Sequence, residues 1–267
     1  YLGVQMNEYR ASGINALYDE ITDNGYYRLN VYWFKYEPIK WRILTTSGNS
    51  AFIMSDIALD FFSMQPDRKS EFRDDLFASY NNSAGVPDGT YANNWEYCFL
   101  RRWLNETFYN EVFNDLQKEI IKTTRLDNSA RSCNPDEYPT YYPNTYSSQN
   151  KPGENKYAAQ CKDTDDKIFL LSLRDITTTA YGFNKDVLAK DPARNLQATD
   201  FAKFRGAPMD IYEEKYVTWY TRSPSIGSRG GNNGYSTFVL DRHAKGAIDS
   251  TDLIPDGGVV PALWITL

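Results

Sequence analysis

Ile39-Lys40-Trp41-Arg42-Ile43-Leu44-Thr45-Thr46-Ser47-Gly48-Asn49-Ser50-Ala51-Phe52-Ile53-Met54 is the stretch whose reading decides the architecture. Its first half is rich in aromatic and β-branched side chains, Ser47-Gly48-Asn49 has turn chemistry, and residues 51–54 resume as an apolar run. This predicts a hairpin with strands over 39–46 and 51–54. Upstream, Pro38 separates it from an alternating aromatic run over 26–36. Further upstream still, Ile14, Leu17, Tyr18 and Ile21 recur at helical spacing. They predict an N-terminal helix within residues 1–25, ended by the turn pair Asn24-Gly25.

Beyond the hairpin, residues 67–94 are a polar excursion. Leu100, Trp103, Leu104, Phe108, Val112 and Phe113 then set a helical period over 95–124, which Asn105 and Asn114 divide as N-caps. The composition changes over residues 127–166, where Pro135, Pro139, Pro143 and Pro152 are interleaved with Tyr138, Tyr141, Tyr142, Tyr146 and Tyr157. Structureless loops this long usually carry function or disorder, and disordered segments are poor in aromatics. A recognition surface and an insertion folded down as a lid both fit. Residues 167–171 read as a buried strand, with Ser172 capping the next turn. A helix over 198–205 is capped by Thr199, and a strand over 217–222 ends at Ser223-Pro224. A Gly, Ser and Asn loop over 226–234 and strands over 235–240 and 259–267 close the chain. With neither repeats nor a linker, residues 1–267 read as one α+β domain: strands, then helices, then strands.

The composition narrows the function. The chain has 267 residues and a formal net charge of −6, so the basic footprint of a nucleic-acid binder is missing. A single His rules out a multi-His metal site, and three Cys are too few for a Cys-only zinc site. No apolar run is long enough for a membrane span. Tyr1 in place of Met suggests a processed chain whose signal peptide has been removed. The 21 Tyr are the positive clue, because Tyr offers contact area at low entropic cost.

The chemical candidates are few. His243 has Asp241 two positions away, as a base and its orienting carboxylate would require, but it sits in a polar turn pattern where His is usually just solvated. Asp163-Thr164-Asp165-Asp166 gathers carboxylates of the kind calcium prefers, yet lacks the Gly and distal Glu of an EF-hand loop and reads better as a solvated turn. Gly230-Gly231-Asn232-Asn233-Gly234 lacks the Lys and Ser/Thr of a phosphate loop. Cys98 lies in an apolar stretch as a small buried hydrophobe. Cys133 and Cys161 bracket the Tyr-rich segment and either pair in an oxidising compartment or stand as independent thiols. Trp41, Trp103, Trp219 and Trp264 fall inside element patterns and are expected in the core.

Six motifs in order carry a family resemblance. They are Tyr36-Glu37-Pro38-Ile39-Lys40-Trp41-Arg42-Ile43-Leu44; Leu100-Arg101-Arg102-Trp103-Leu104-Asn105 with Phe108-Tyr109; Asp166-Lys167-Ile168-Phe169-Leu170-Leu171-Ser172; Ala198-Thr199-Asp200-Phe201-Ala202-Lys203; Trp219-Tyr220-Thr221-Arg222-Ser223-Pro224; and Val260-Pro261-Ala262-Leu263-Trp264-Ile265. Together they resemble the uncharacterised domain-of-unknown-function family 6273 of surface and secreted proteins of gut bacteria. The chain departs from it at Thr221, where the family usually carries Leu, and at Val260, where it usually carries Arg. The resemblance brings no activity with it.

More remotely, the C-terminal half resembles the C-type-lectin-like fold. That implies a mixed or antiparallel sheet with short helices and long loops, and a secreted or cell-surface binding module for a glycan or partner protein. The ligand surface would comprise Tyr141, Tyr142, Tyr146, Arg222, Arg229, Asn232, Asn233 and Tyr235, with no catalytic residue, metal or cofactor. Arg222 has a second reading as a structural anchor for the loop after it. The alternatives are an architectural spacer and an enzyme resembling the formylglycine-generating proteins. The enzyme would use Cys133 and Cys161 as redox or copper-binding thiols, which requires a lowered thiol pKa.

Overall fold

The computed structural model describes residues 2–5, 31–35, 37–64, 68–70, 79–81, 84–87, 90, 94–133, 161–186, 189–207, 216–226, 234–240, 247–251 and 257–267. The chain opens with β1 (Leu2–Gln5) and β2 (Val31–Phe34), paired antiparallel. Ile14, Leu17, Tyr18 and Ile21, which predict the N-terminal helix, lie outside the described residues. The decisive hairpin forms as β3 (Trp41–Ser47) and β4 (Ser50–Ser55), in register from Trp41 opposite Ser55 to Ser47 opposite Ser50. Gly48 supplies the positive φ of 55° that the tight turn needs. A register shift between Ile43 and Thr45 leaves Leu44 as the extra residue of a bulge.

After β5 (Asp60–Phe62) comes a small pair, β6 (Arg68–Ser70) with β7 (Ser79–Asn81). The helical region is α1 (Phe99–Trp103), a π-helical turn over Leu104–Phe108, α2 (Tyr109–Val112) and α3 (Asp115–Ile120). Asn114 caps α3 as expected, in a reciprocal capping box with Gln117. Asn105 caps nothing: it lies inside the π turn, with its side chain committed to more distant backbone.

Next come β8 (Thr124–Leu126), the single turn α4 (Ala130–Cys133), β9 (Thr164–Asp166), β10 (Phe169–Leu170) and α5 (Asp200–Phe204), the last capped by Thr199 as its sequence indicates. The final strands are β11 (Trp219–Ile226), β12 (Gly234–Leu240), β13 (Ala247–Thr251), β14 (Gly257–Val259) and β15 (Pro261–Thr266). β11 does not stop at Ser223-Pro224 but runs through it. The register shifts between Tyr220 and Pro224, an irregularity of the kind that lets a strand accommodate Pro.

Two larger sheets organise these strands. One is antiparallel, in the order β10-β15-β4-β3; the other is mixed, in the order β13-β12-β11-β14-β5, with β11 and β14 parallel. The expected α+β class with mixed sheets, short helices and loops is therefore the one observed. Two connections bind the sheets together. The chain passes from β4 to β5 and from β14 to β15, and β4 pairs with β15 while β5 pairs with β14. Val260, at the second crossing, is fully buried.

One hydrophobic core serves both sheets and the helices. Phe52 stacks on Trp264 and Phe169, and Trp41 stacks on Phe113. Trp219 is fully buried, whereas Trp41, Trp103 and Trp264 pack partly buried against the core. Each Leu, Ile or Phe sunk this deep contributes about 1.5–3 kcal/mol of transfer free energy.

Candidate functional site

The recurring motifs meet through their polar residues, which act as clamps on remote backbone. In α1 and the π turn, Arg101 and Asn105 stand one helical turn apart and face the segment beginning at Asp166. Arg101 Nε donates to Asp166 Oδ1 at 2.7 Å. Asn105 Nδ2 donates to the Ile168 carbonyl at 2.8 Å, and its Oδ1 accepts from Lys167 N at 2.8 Å. Asp166 also accepts from Trp95 Nε1 at 2.9 Å and from the Thr164 hydroxyl at 2.8 Å. This buried carboxylate is therefore fully engaged, as burial demands. The turn read at 163–166 is instead the strand β9. Asp163 and Asp165 pair with Arg125 while Asp166 points inward, so the three carboxylates do not converge.

The second clamp belongs to β11. Arg222 Nη1 donates to the Leu170 carbonyl and to Asp175 Oδ2, both at 3.0 Å, and its backbone N–H bonds the Leu171 carbonyl. Asp175 also accepts from the backbone N–H and hydroxyl of Ser172, each at 2.7 Å. Burial works against the Arg222 charge, but the hydrogen bond and charge of Asp175, with Cys133 and Asp166 nearby, together outweigh it and raise the guanidinium pKa. Next along the strand, the Ser223 hydroxyl accepts from Leu173 N and donates to the Cys133 carbonyl, both at 2.8 Å. Arg222 Nε has no hydrogen-bond partner among the described residues.

These clamps hold the roots of the Tyr-rich segment. On the leading side, Arg174 N also donates to the Cys133 carbonyl, at 3.0 Å. On the returning side, Lys162 N donates to Glu96 Oε2 at 3.2 Å and the Lys162 carbonyl accepts from Asn128 Nδ2 at 3.0 Å. β8 and β9 pair from Thr124 opposite Asp166 to Leu126 opposite Thr164, so the two roots form one stem. Residues 227–233, rich in Ser, Gly and Asn, follow in sequence from β11, the strand that grips this stem.

Of the expected ligand residues, Arg222 is buried in its ion pair with Asp175. Tyr235 lies in β12 opposite Ser225. Tyr141, Tyr142, Tyr146, Arg229, Asn232, Asn233 and His243 lie outside the described residues. Thr221 and Val260, the two departures from the family pattern, are both fully buried. Sequence reasoning missed the pairing roles of Arg101, Asn105, Asp166 and Asp175. The one available signal was the helical spacing of Arg101 and Asn105 within a motif.

All three cysteines are free thiols. Burial pushes Cys98 up to about 12 and Cys161 up to about 11, and it raises Cys133 as well. Each shift opposes the lowered value a redox nucleophile needs.

The clamps and joined sheets define an α+β domain whose recurring motifs do structural work. The chain belongs to the family described as "Domain of unknown function (DUF6273)", matched over residues 48–267. No curated protein and no solved structure matches it. No helix among the described residues is long and apolar enough to cross a membrane.

Proposed function

We propose that this chain is a non-catalytic ligand-binding domain of C-type-lectin-like build, secreted or held at a cell surface. It takes a glycan or a partner protein through the Tyr-rich segment and the Gly/Asn loop. The observation that carries this reading is the common footing of the two segments. Ser223 of β11 bonds the Cys133 carbonyl at the root of one, and β11 leads directly into the other. Rigid footings under aromatic and amide-rich loops are the usual construction of a recognition surface. The raised thiols also weigh against a catalytic redox centre at Cys133 and Cys161.

The test is a glycan array and a protein pull-down with the wild-type chain and with two variants, Tyr141→Ala/Tyr142→Ala and Asn232→Ala/Asn233→Ala. A ligand lost at least tenfold in both variants, with the unfolding midpoint unchanged, is the expected result. Binding that survives both variants overturns the reading, as does a screen that returns no ligand.

A further inference from the structure

We propose that Cys133 and Cys161 are a covalent closure site, forming a disulfide that ties the two roots of residues 134–160 together. The register of the stem argues for it. Past the last pair of the ladder, Leu126 opposite Thr164, Asn128 Nδ2 donates to the Lys162 carbonyl and to the Thr164 hydroxyl, each at 3.0 Å, and so holds the two roots side by side. Cys161 directly precedes Lys162 on the returning root. α4 then makes a single turn in which Cys133 N bonds the Ser129 carbonyl at 2.9 Å, and Cys133 Sγ lies 3.8 Å from the carbonyl of Asp127, the neighbour of Asn128. The two thiols are within electrostatic reach of each other.

A third thiol, Cys98, is also within electrostatic reach of Cys161. The structure favours Cys133 over it. Cys98 Sγ caps α1 by accepting from Arg101 N at 3.4 Å, so linking Cys98 would cost that cap. Cys133 Sγ makes a long contact to the Asp127 carbonyl, at 3.8 Å, a weaker interaction to give up than a helix cap. Cys161 is the more exposed of the pair and is the natural point of entry for the oxidant.

With a low-molecular-weight disulfide as oxidant, the exchange balances. The Cys161 thiolate attacks one sulfur of oxidised glutathione, forming a mixed disulfide and releasing one glutathione thiolate. The Cys133 thiolate then attacks the Cys161 sulfur and releases the second. Two protein thiols are oxidised, one disulfide is reduced to two thiols, and the two protons go to solvent or to the leaving thiolates. The site is independent of the ligand proposed above.

The experiment equilibrates the full chain with oxidised glutathione, quenches with acid, alkylates the remaining thiols and maps peptides by mass spectrometry. A Cys133–Cys161 cross-link is expected, with Cys98 alkylated only after denaturation. Cys98→Ser should keep the link, and Cys133→Ser should accumulate glutathione on Cys161. Proteolysis within 134–160 should leave the oxidised chain as one species until reductant is added. Three free thiols after equilibration, a Cys98–Cys161 link, or glutathione persisting on Cys161 of the wild type would each overturn the proposal. The wild-type map needs no variant, so a variant that fails to fold leaves the test intact.

Discussion

Arg222 spends one end of its guanidinium on Asp175 and the Leu170 carbonyl, and the pair is nearly sealed from water. Removing the cation leaves Asp175 a poorly solvated charge. Breaking a buried pair from one side typically costs about 3–5 kcal/mol, far more than the intact pair contributes. Arg222→Met should therefore lower the unfolding free energy from denaturant titration by an amount in that range, and Arg222→Met/Asp175→Asn should recover part of it. If the single and double variants lose the same stability, Asp175 does not depend on Arg222.

Two other carboxylates carry opposite pH signatures. Burial alone raises Asp56, but hydrogen bonds and charge from Lys40 and Arg42 outweigh it and leave the carboxyl below its ordinary value. Its stabilisation is present above the unfolded-state pKa and is lost as pH falls through the depressed folded value. Burial raises Asp60 despite Arg205 beside it. Its contribution is present below the unfolded-state pKa and is lost as pH rises through the raised folded value. Unfolding midpoints measured below and above about pH 4 should separate them. Asp56→Asn should flatten the acid-side loss, and Asp60→Asn should remove a decline on the rising side. Parallel curves for the two variants would contradict these assignments.

At the level of elements, β14 is a close-packing device. A Cβ on Gly257 would fall within 2.7 Å of three Tyr220 ring atoms, and one on Gly258 would meet the Thr218 carbonyl at 3.0 Å. β14 can bridge β11 and β5 because it presents bare backbone at these positions. Gly257→Ala forces the fully buried Tyr220 ring to move, at a cost of about 1–3 kcal/mol for overpacking. Gly48→Ala, in an open turn, carries only the penalty of its positive φ. Thermal melts should rank Gly257→Ala as the more damaging. The hairpin around Gly48 was legible because period, turn residues and register are all local, and so were the Asn114 and Thr199 caps. The clamps were not legible, because Arg101 finds Asp166 across 65 positions and Asn105 finds Ile168 across 63. Composition gives no pointer to such partners. The π turn and the run through Pro224 were missed for a similar reason: tertiary contacts override local preference there. Of the candidate site, neither Asp175 as the partner of Arg222 nor the β8–β9 stem was legible, since both join residues distant in the chain.

On the scale of the whole molecule, the family match and the folded unit have different limits. The match begins at residue 48, in the turn after β3, yet β3 is paired along the length of β4. It also contributes Leu44 to the core and stacks Trp41 on Phe113. A chain cut to begin at Gly48 loses that ladder and opens β4, whose residues are all buried, to solvent. Net stabilities of about 5–15 kcal/mol leave no room for such a loss, and an exposed apolar edge invites aggregation. A chain beginning at Glu37 keeps β3 and gives up β1 and β2. Among the described residues it gives up the ring contacts of Tyr32 and Phe34 with Phe201 and Phe204 on α5, each worth about 0.5–1.5 kcal/mol. Denaturant unfolding followed by tryptophan fluorescence should show a cooperative transition at a lowered midpoint for 37–267. The same measurement on 48–267 should show no cooperative transition. If 48–267 instead unfolds cooperatively near the midpoint of the longer chain, β3 is dispensable, and the antiparallel sheet ends at β4.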